Sequence, residues 1–276
     1  MTRDETRQPD QDPALWDRHV AGYEAVFEPL TDAFAARALD ALGPLEGARL
    51  LDVCAGAGGA ALLAAARGAE VRAVDGSPRM AARIRERAGG RRITAEVADA
   101  AALDLPPDRY DAALSCFGIV LLPDPVPALR AIRRALVPGG GVAVVTWTEP
   151  RAYELASRIG AAVAAVRPPV PGPPSSGSLP AQLRYAEPAA LSALMAEGGF
   201  PGAAILRLEA RLEAASAREL ARDLAFAPGL DALMAGLGAD RPAVEAEFAR
   251  ALEADQGLGR VSLGAVAHVA VARRTA

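Results

Sequence analysis

The sequence has no lysine, only two cysteines (Cys54 and Cys116), only two histidines (His19 and His268), and aromatic residues at 4% of its 276 positions. Two cysteines are too few for a disulfide framework. With so few histidines and cysteines, no His/Cys/carboxylate cluster shows metal-ligand spacing, and no metal is expected. No apolar run approaches the roughly 18 uncharged residues needed to span a bilayer, so no membrane partner is expected. The first residues, MTRDETRQPDQDP, are charged and broken by proline. They resemble neither a secretory nor a transit peptide, and a cytoplasmic location is the expectation. Net charge is −4. The densest basic run, Arg83 to Arg92, reads as a solvated helix face, not a nucleic-acid grip.

What is abundant is apolar: 51% of the residues. That is enough for a sizeable core in one domain and excludes global disorder. Residues 1–13 read as a disordered tail and 14–276 as a single domain. Within it, 14–44 read as N-terminal helices, with apolar residues at three- and four-residue steps over a helical segment at 14–42. Residues 45–150 alternate strands with helices: strands at 48–54, 70–75, 92–98, 110–116 and 141–148, helices near 59–67, from Pro78 to about Ala88, and at 125–136 before Pro138-Gly139-Gly140. Ser77 is the expected cap of the second helix, with Pro78 at its first position. Such alternation predicts a parallel sheet covered on both faces. Residues 151–260 read as a substrate-selecting cap that includes a sixth strand at 203–213, and 260–272 as the last strand. The Pro/Gly/Ser stretch 167–180 is a candidate lid.

The chemistry concentrates in L-L-D-V-C-A-G-A-G-G-A-A. Glycines at 56, 58 and 59 after an apolar strand let a ligand approach the backbone, and the next helix offers free N–H groups. Asp75 ends the following strand, where a carboxylate suits a ribose diol. Gly56, Gly58, Ala61 and Asp75 also satisfy a dinucleotide fingerprint, so this pairing alone leaves a nicotinamide-dependent oxidoreductase open. Asp52, an acid within the feeding strand, and Asp99, at the end of the third strand, favour a different nucleoside ligand.

The runs R-Y-D-A-A-L-S-C-F-G-I-V-L-L-P-D-P and R-R-A-L-V-P-G-G-G-V-A-V-V-T-W, with the glycine loop, resemble the ubiE-like class I methyltransferases, many of which act on natural products. The likeness spans about residues 45–150, and W-D-R-H-V-A-G-Y (16–23) resembles the helix that precedes the cofactor loop in such enzymes. It implies an α/β, Rossmann-like, doubly wound seven-stranded sheet of order 3-2-1-4-5-7-6 with an antiparallel last strand. It also implies S-adenosyl-L-methionine as cofactor. On this sequence the cofactor residues would be Tyr23, Asp52, Ala55, Gly56, Gly58, Asp75, Gly76, Ser77, Met80, Asp99, Ala100 and Ser115. His19 is the candidate base or substrate contact. The partner is a small, apolar or aromatic acceptor of the secondary-metabolite kind, with the chain a monomer or homodimer and no nucleic acid involved. The sequence departs from the family pattern at Cys54, which stands at the first loop glycine, at Ala131, where an acid is usual, and at Leu121 and Leu122, where a histidine or aromatic is usual. The last departure leaves a second reading of the same fold open: a cofactor-binding enzyme that cyclises or rearranges its substrate without methylating it.

Overall fold

The computed structural model describes residues 7–168 and 180–275. Seven strands form one sheet: β1 (Arg49–Val53), β2 (Glu70–Asp75), β3 (Ile93–Val97), β4 (Tyr110–Cys116), β5 (Leu136–Trp147), β6 (Ala204–Ala214) and β7 (Val261–Arg273). Their order is β3-β2-β1-β4-β5-β7-β6, as the resemblance implied. β1 pairs in parallel with β2 and β4, β2 with β3, and β4 with β5. β7 runs antiparallel to both β5 and β6.

The helices are α1 (Glu28–Leu42), α2 (Gly59–Ala66), α3 (Pro78–Ala88), α4 (Val126–Ala135), α5 (Glu154–Val166), α6 (Pro188–Glu197), α7 (Ala217–Arg222), α8 (Pro228–Gly236) and α9 (Arg241–Gln256). Successive strand residues point to opposite faces, so Leu50 and Val145 join one core cluster while Leu51 and Val144 join the other. The first cluster takes in Phe34 and Leu39 of α1, Ile84 of α3 and Phe248 of α9. The second takes in Leu129 and Ile132 of α4 and Leu191 of α6. β5 is buried without interruption from Gly140 to Trp147, which is why it reads as a continuous apolar run.

Three expectations are corrected. The helix over 14–42 is not continuous: short turns at Pro13–Trp16 and Val20–Gly22 lead into a π-turn at Tyr23–Phe27 before α1 begins. The break comes at His19, whose φ of −103° and ψ of 0° depart from the helix. The strand expected at 141–148 already starts at Leu136, so Pro138-Gly139-Gly140 lies inside it. Those glycines are held by the chain's end, with Gly139 N–H donating to Arg274 O at 2.8 Å and Arg274 N–H to Gly140 O at 2.8 Å.

The third concerns the tail expected over residues 1–13. Residues 7–13 are ordered because their side chains bond to three distant segments. Gln11 Nε2 donates to Leu121 O at 2.8 Å, Gln8 Oε1 accepts from Ala181 N–H at 2.7 Å, and Asp10 Oδ1 accepts from Gly229 N–H at 2.7 Å. Residues 1–6 lie outside the described residues, as do 169–179 of the candidate lid.

Candidate functional site

β1 and β4 are neighbours whose following connections leave to opposite sides, and the crevice beyond their carboxyl ends is where open α/β sheets hold ligands. Each strand is followed directly by a non-glycine residue of positive φ, Cys54 at 58° and Phe117 at 60°. Such conformations cost of order 1 kcal/mol or more each and cluster at functional sites. A Cβ built on Gly118 would lie 2.2 Å from the Cys54 Cβ, so the two strand ends touch there.

The loop after β1 turns through Gly56 (φ 57°) and Gly58 (φ 96°), conformations that favour glycine. Tyr23, delivered by the π-turn, lies directly over Gly56, where a Cβ would meet its ring at 3.2–3.3 Å. Asp75 closes the loop from β2. Its Oδ2 accepts Gly56 N–H at 2.8 Å and its Oδ1 accepts Ser77 N–H at 2.8 Å. Each oxygen retains a lone pair for a further donor. Burial pushes the Asp75 carboxyl up to about 6, against the two hydrogen bonds that pull it down.

Asp52, 1% exposed, accepts from the Ala61 N–H near the start of α2, while its Oδ2 has no hydrogen-bond partner among the described residues. Burial, then the charges of Asp75 and Asp32, push it up to about 7. An orphaned, buried carboxylate oxygen is expensive unless a donor arrives.

A cavity of about 700 Å³ opens from this loop. Gly56, Asp75, Gly76 and Met80 line one end, and the other is walled by aromatic rings. Phe117 stacks on Trp147 at 4.1 Å, Trp147 on Tyr153 at 4.6 Å, and Phe27 on Phe226 at 5.0 Å. Residues 8–11 also line it, and Leu121 and Leu122 supply apolar surface after β4. A second cavity of about 10 Å³ adjoins it, sharing Tyr23, Thr31, Cys54 and Cys116, and is lined in addition by Asp32, Asp52 and Ala55.

Of the residues expected from the sequence, Tyr23, Gly56, Asp75, Gly76 and Met80 meet at the large cavity, and Tyr23, Asp52 and Ala55 at the small one. His19, Gly58, Ser77, Asp99, Ala100 and Ser115 line neither. Gly58 makes the left-handed turn into α2. Ser77 spends its hydroxyl on the fold: Oγ caps α3 by accepting Met80 N–H at 3.1 Å and donates to Asp17 Oδ1 at 2.6 Å. Ser115 Oγ donates to Val53 O at 2.8 Å and accepts Ile119 N–H at 3.1 Å, tying β4 to β1. Asp99 is exposed and caps the turn that contains Ala100, accepting Ala101 N–H at 2.9 Å.

His19 is turned away from the cavity. It is 6% exposed, with Nδ1 3.1 Å from Ala225 O and Nε2 3.6 Å from Asp231 Oδ2. Burial lowers its pKa despite Asp231. The place expected for a base is instead a joint between the N-terminal segment and α8.

Sequence reasoning missed Asp32, the strap of residues 8–11, and Phe226. None carries a local signature: Asp32 is one acid on an amphipathic helix, and Phe226 lies 170 positions beyond the loop it faces across the cavity.

Comparison with known proteins adds the ancestry. A family model described as a methyltransferase domain matches residues 50–140. A demethylmenaquinone methyltransferase of Clavibacter sepedonicus is 31% identical over 166 residues, covering 56% of this chain and 68% of that protein. An uncharacterized protein of Mycobacterium tuberculosis is 32% identical over 177 residues, covering 63% of this chain and 60% of the relative. The chain therefore spans about 60% of the length of the first relatives it matches. Among solved structures, the (4+2)-cyclase SpnF superposes with a TM-score of 0.52 at 23% identity, covering 88% of this chain and 80% of that one, which shows the shared fold. No helix among the described residues is long and apolar enough to cross a membrane. With the glycine loop, the strand-end carboxylates and the 3-2-1-4-5-7-6 sheet in place, the chain belongs to the class I S-adenosylmethionine-dependent methyltransferases.

Proposed function

We propose that the chain transfers a methyl group from S-adenosylmethionine to a small apolar or aromatic acceptor, of the natural-product type, at oxygen, nitrogen or carbon. One observation carries this reading. A single cavity of about 700 Å³, within the size range of small-molecule sites, joins the Gly56–Asp75 loop to a wall of aromatic rings. The relative named as a demethylmenaquinone methyltransferase supports methyl transfer over a nicotinamide-dependent reaction.

The residues fit the cofactor. Asp75, with one lone pair free on each oxygen, takes the two ribose hydroxyls, and charge-assisted bonds of this kind contribute about 1.5–3 kcal/mol each. The orphaned Asp52 Oδ2 suits a cationic donor from the amino-acid end. Met80, 2% exposed and bordering the cavity, offers apolar surface to the base. Asp99 is left for the amino group of adenine, beyond the turn it caps.

When bound, the cofactor supplies a methyl group already activated on a sulfonium. What the protein must add is alignment and dryness. Phe27, Trp147 and Phe226 hold a flat acceptor by its faces, and Tyr23, folded over Gly56, keeps water from the junction. Fixing two reactants in this way is worth on the order of 7–11 kcal/mol. His19 has no part in this reading.

Equilibrium titration tests the cofactor. S-adenosylhomocysteine should bind at least tenfold more tightly than NAD, and the reverse order would overturn the proposal. A methyl-labelled donor offered with a panel of aromatic acceptors tests the reaction. Leu121 and Leu122 leave an apolar wall after β4, which favours the cyclisation or rearrangement reading as the second choice. An acceptor converted while the donor stays intact would establish that reading instead.

A further inference from the structure

The small cavity beside the loop is lined by two carboxyl groups, Asp32 and Asp52, that its walls leave without a cation. At about 10 Å³ it has room for one water-sized group. Asp52 enters it from β1 and Asp32 from the first turns of α1. No hydrogen bond to the Asp32 carboxylate is made among the described residues, and Asp52 Oδ2 is an orphan at 1% exposure. Room has been kept for Asp32: a Cβ on Gly59 would lie 2.0 Å from its Oδ1.

The nearby Arg87 offsets the charge of Asp32 only in part. α1 also brings Glu28, which accepts Gly59 N–H at 3.0 Å and is ion-paired to Arg87 of α3 at 2.7 Å. Arg87 spends the same nitrogen on Ala57 O at 2.9 Å. Arg83 of α3 is paired with Glu24 at 2.7 Å, and Glu24 with Arg87 at 3.7 Å. Tyr23 closes the cavity from the π-turn, and Cys54 and Cys116 from the ends of β1 and β4, each with its proton held on by burial. Asp75 of β2 adds a further negative charge to the field at Asp52.

Resting on the cofactor reading above, we propose that Asp32 is a cofactor-binding residue. With Asp52 it forms a two-carboxylate seat for the primary ammonium of the cofactor's amino-acid tail, and occupation of that seat expels a proton. In the free protein a proton held on one carboxyl takes the place of the cation. Burial together with neighbouring carboxylates holds both Asp32 and Asp52 up to about 7. An arriving ammonium favours the ionised forms, so a carboxylic acid and an ammonium become an ion pair and a free proton. Affinity therefore rises with pH through neutrality and levels off once the carboxyls are ionised.

The probes are S-adenosylhomocysteine and 5′-methylthioadenosine, which share a nucleoside and a thioether while the second lacks the amino-acid tail. Calorimetric titration of the wild type should show S-adenosylhomocysteine losing about tenfold in affinity from pH 8 to pH 6, the change expected for one linked proton. 5′-Methylthioadenosine should change less than about threefold, roughly 0.65 kcal/mol. Heats in buffers of different ionisation enthalpy should report clearly more proton release with the first ligand than with the second, since only Asp75, at the ribose of both, responds to each. Asp32→Asn should cost S-adenosylhomocysteine about tenfold or more at pH 8 and leave 5′-methylthioadenosine within about threefold. Equal pH slopes for the two ligands, or an Asp32→Asn loss that is nil or the same for both, overturns the ammonium seat alone. If Asp32→Asn fails to fold, the wild-type pH comparison decides by itself. A wild type that binds neither ligand overturns the cofactor reading, and the seat with it.

Discussion

The two ends of the large cavity are built on opposite plans. At the loop end, polar groups are fixed by the backbone around them: both Asp75 oxygens are held by N–H groups of residues within 20 positions in sequence. At the wall end, rings from distant segments support one another, with Phe27 on Phe226 and Trp147 between Phe117 and Tyr153. On the proposed function, the difference separates two jobs. A ligand common to a whole family needs fixed donors and acceptors, which a short motif provides. A variable acceptor needs shape, which any set of packed side chains provides and which changes freely between relatives.

The strongest way to break that comparison is to remove a ring from the wall. Phe226 is 2% exposed, and Phe226→Ala should cost about 3–5 kcal/mol of unfolding free energy, as other buried phenylalanines do. The folded fraction should still bind S-adenosylhomocysteine within about threefold of wild type. A larger loss of affinity in calorimetry would show that the two ends are one unit. Gly118→Ala comes next, because it strikes where the ends meet: the added methyl would sit 2.2 Å from the Cys54 Cβ and 3.1 Å from the Cys54 carbonyl oxygen. We expect on the order of 3 kcal/mol by denaturant unfolding, with cofactor affinity falling as well, since the loop must shift. Asp75→Ala then isolates the loop end. In the proposed role two hydrogen bonds to the ribose would be lost, and affinity for S-adenosylhomocysteine should drop at least tenfold, about 1.4 kcal/mol. Unchanged affinity would mean that the ribose is held elsewhere.

This contrast also governs what the sequence made legible. The strands and their helices were readable because period, caps and glycines are local: Ser77 and Pro78 announce α3, and Gly56 and Gly58 sit where positive φ is required. The loop end was readable for the same reason. The wall was not, since Phe226 carries no sign that its neighbour is Phe27. Nor was the break in the helix over 14–42. Its apolar spacing is helical on both sides, and the π-turn that swings Tyr23 over Gly56 is imposed by packing. His19 was singled out because its type suggested a base, while its ring lies against Ala225 O, in the turn before α8, and Asp231 of α8.

A smaller effect, read as pH dependence, sharpens the electrostatic half of the comparison. Asp32, Asp52 and Asp75 have folded-state values of about 7, 7 and 6, all above the unfolded carboxylate range. The folded protein therefore holds protons that the unfolded chain has released between about pH 4 and 7, and stability falls as pH rises through that window. His19, whose pKa is lowered, works the other way. With that opposition and the coupling of the three acids, the ligand-free protein should lose on the order of 1 kcal/mol between pH 5.5 and 7.5. Asp52→Asn should flatten the profile. A ligand-free protein that gains stability over this interval would show that these carboxyls are ionised in the folded state.

The smallest expected change tests the two strand ends against each other, since Cys54 and Phe117 share one backbone conformation, at φ 58° and 60°. A side chain in that region costs roughly 1–2 kcal/mol, and glycine avoids the cost while losing about 0.5–1 kcal/mol to its greater freedom when unfolded. At Cys54, half-buried at the loop, these nearly cancel against the packing of one thiol. Cys54→Gly should therefore shift unfolding free energy by less than about 1 kcal/mol. Cys54→Val should be clearly worse, because a β-branched residue is poorly tolerated at positive φ. The same relief at Phe117 would be overwhelmed by the loss of a ring stacked on Trp147 at 4.1 Å and 7% exposed. Melting curves for Cys54→Gly and Phe117→Gly should thus diverge widely although the backbone gains the same freedom in both. If they move together, side chains at the two strand ends contribute alike, and the division between a backbone-held loop and a packed wall fails at the point where the two meet.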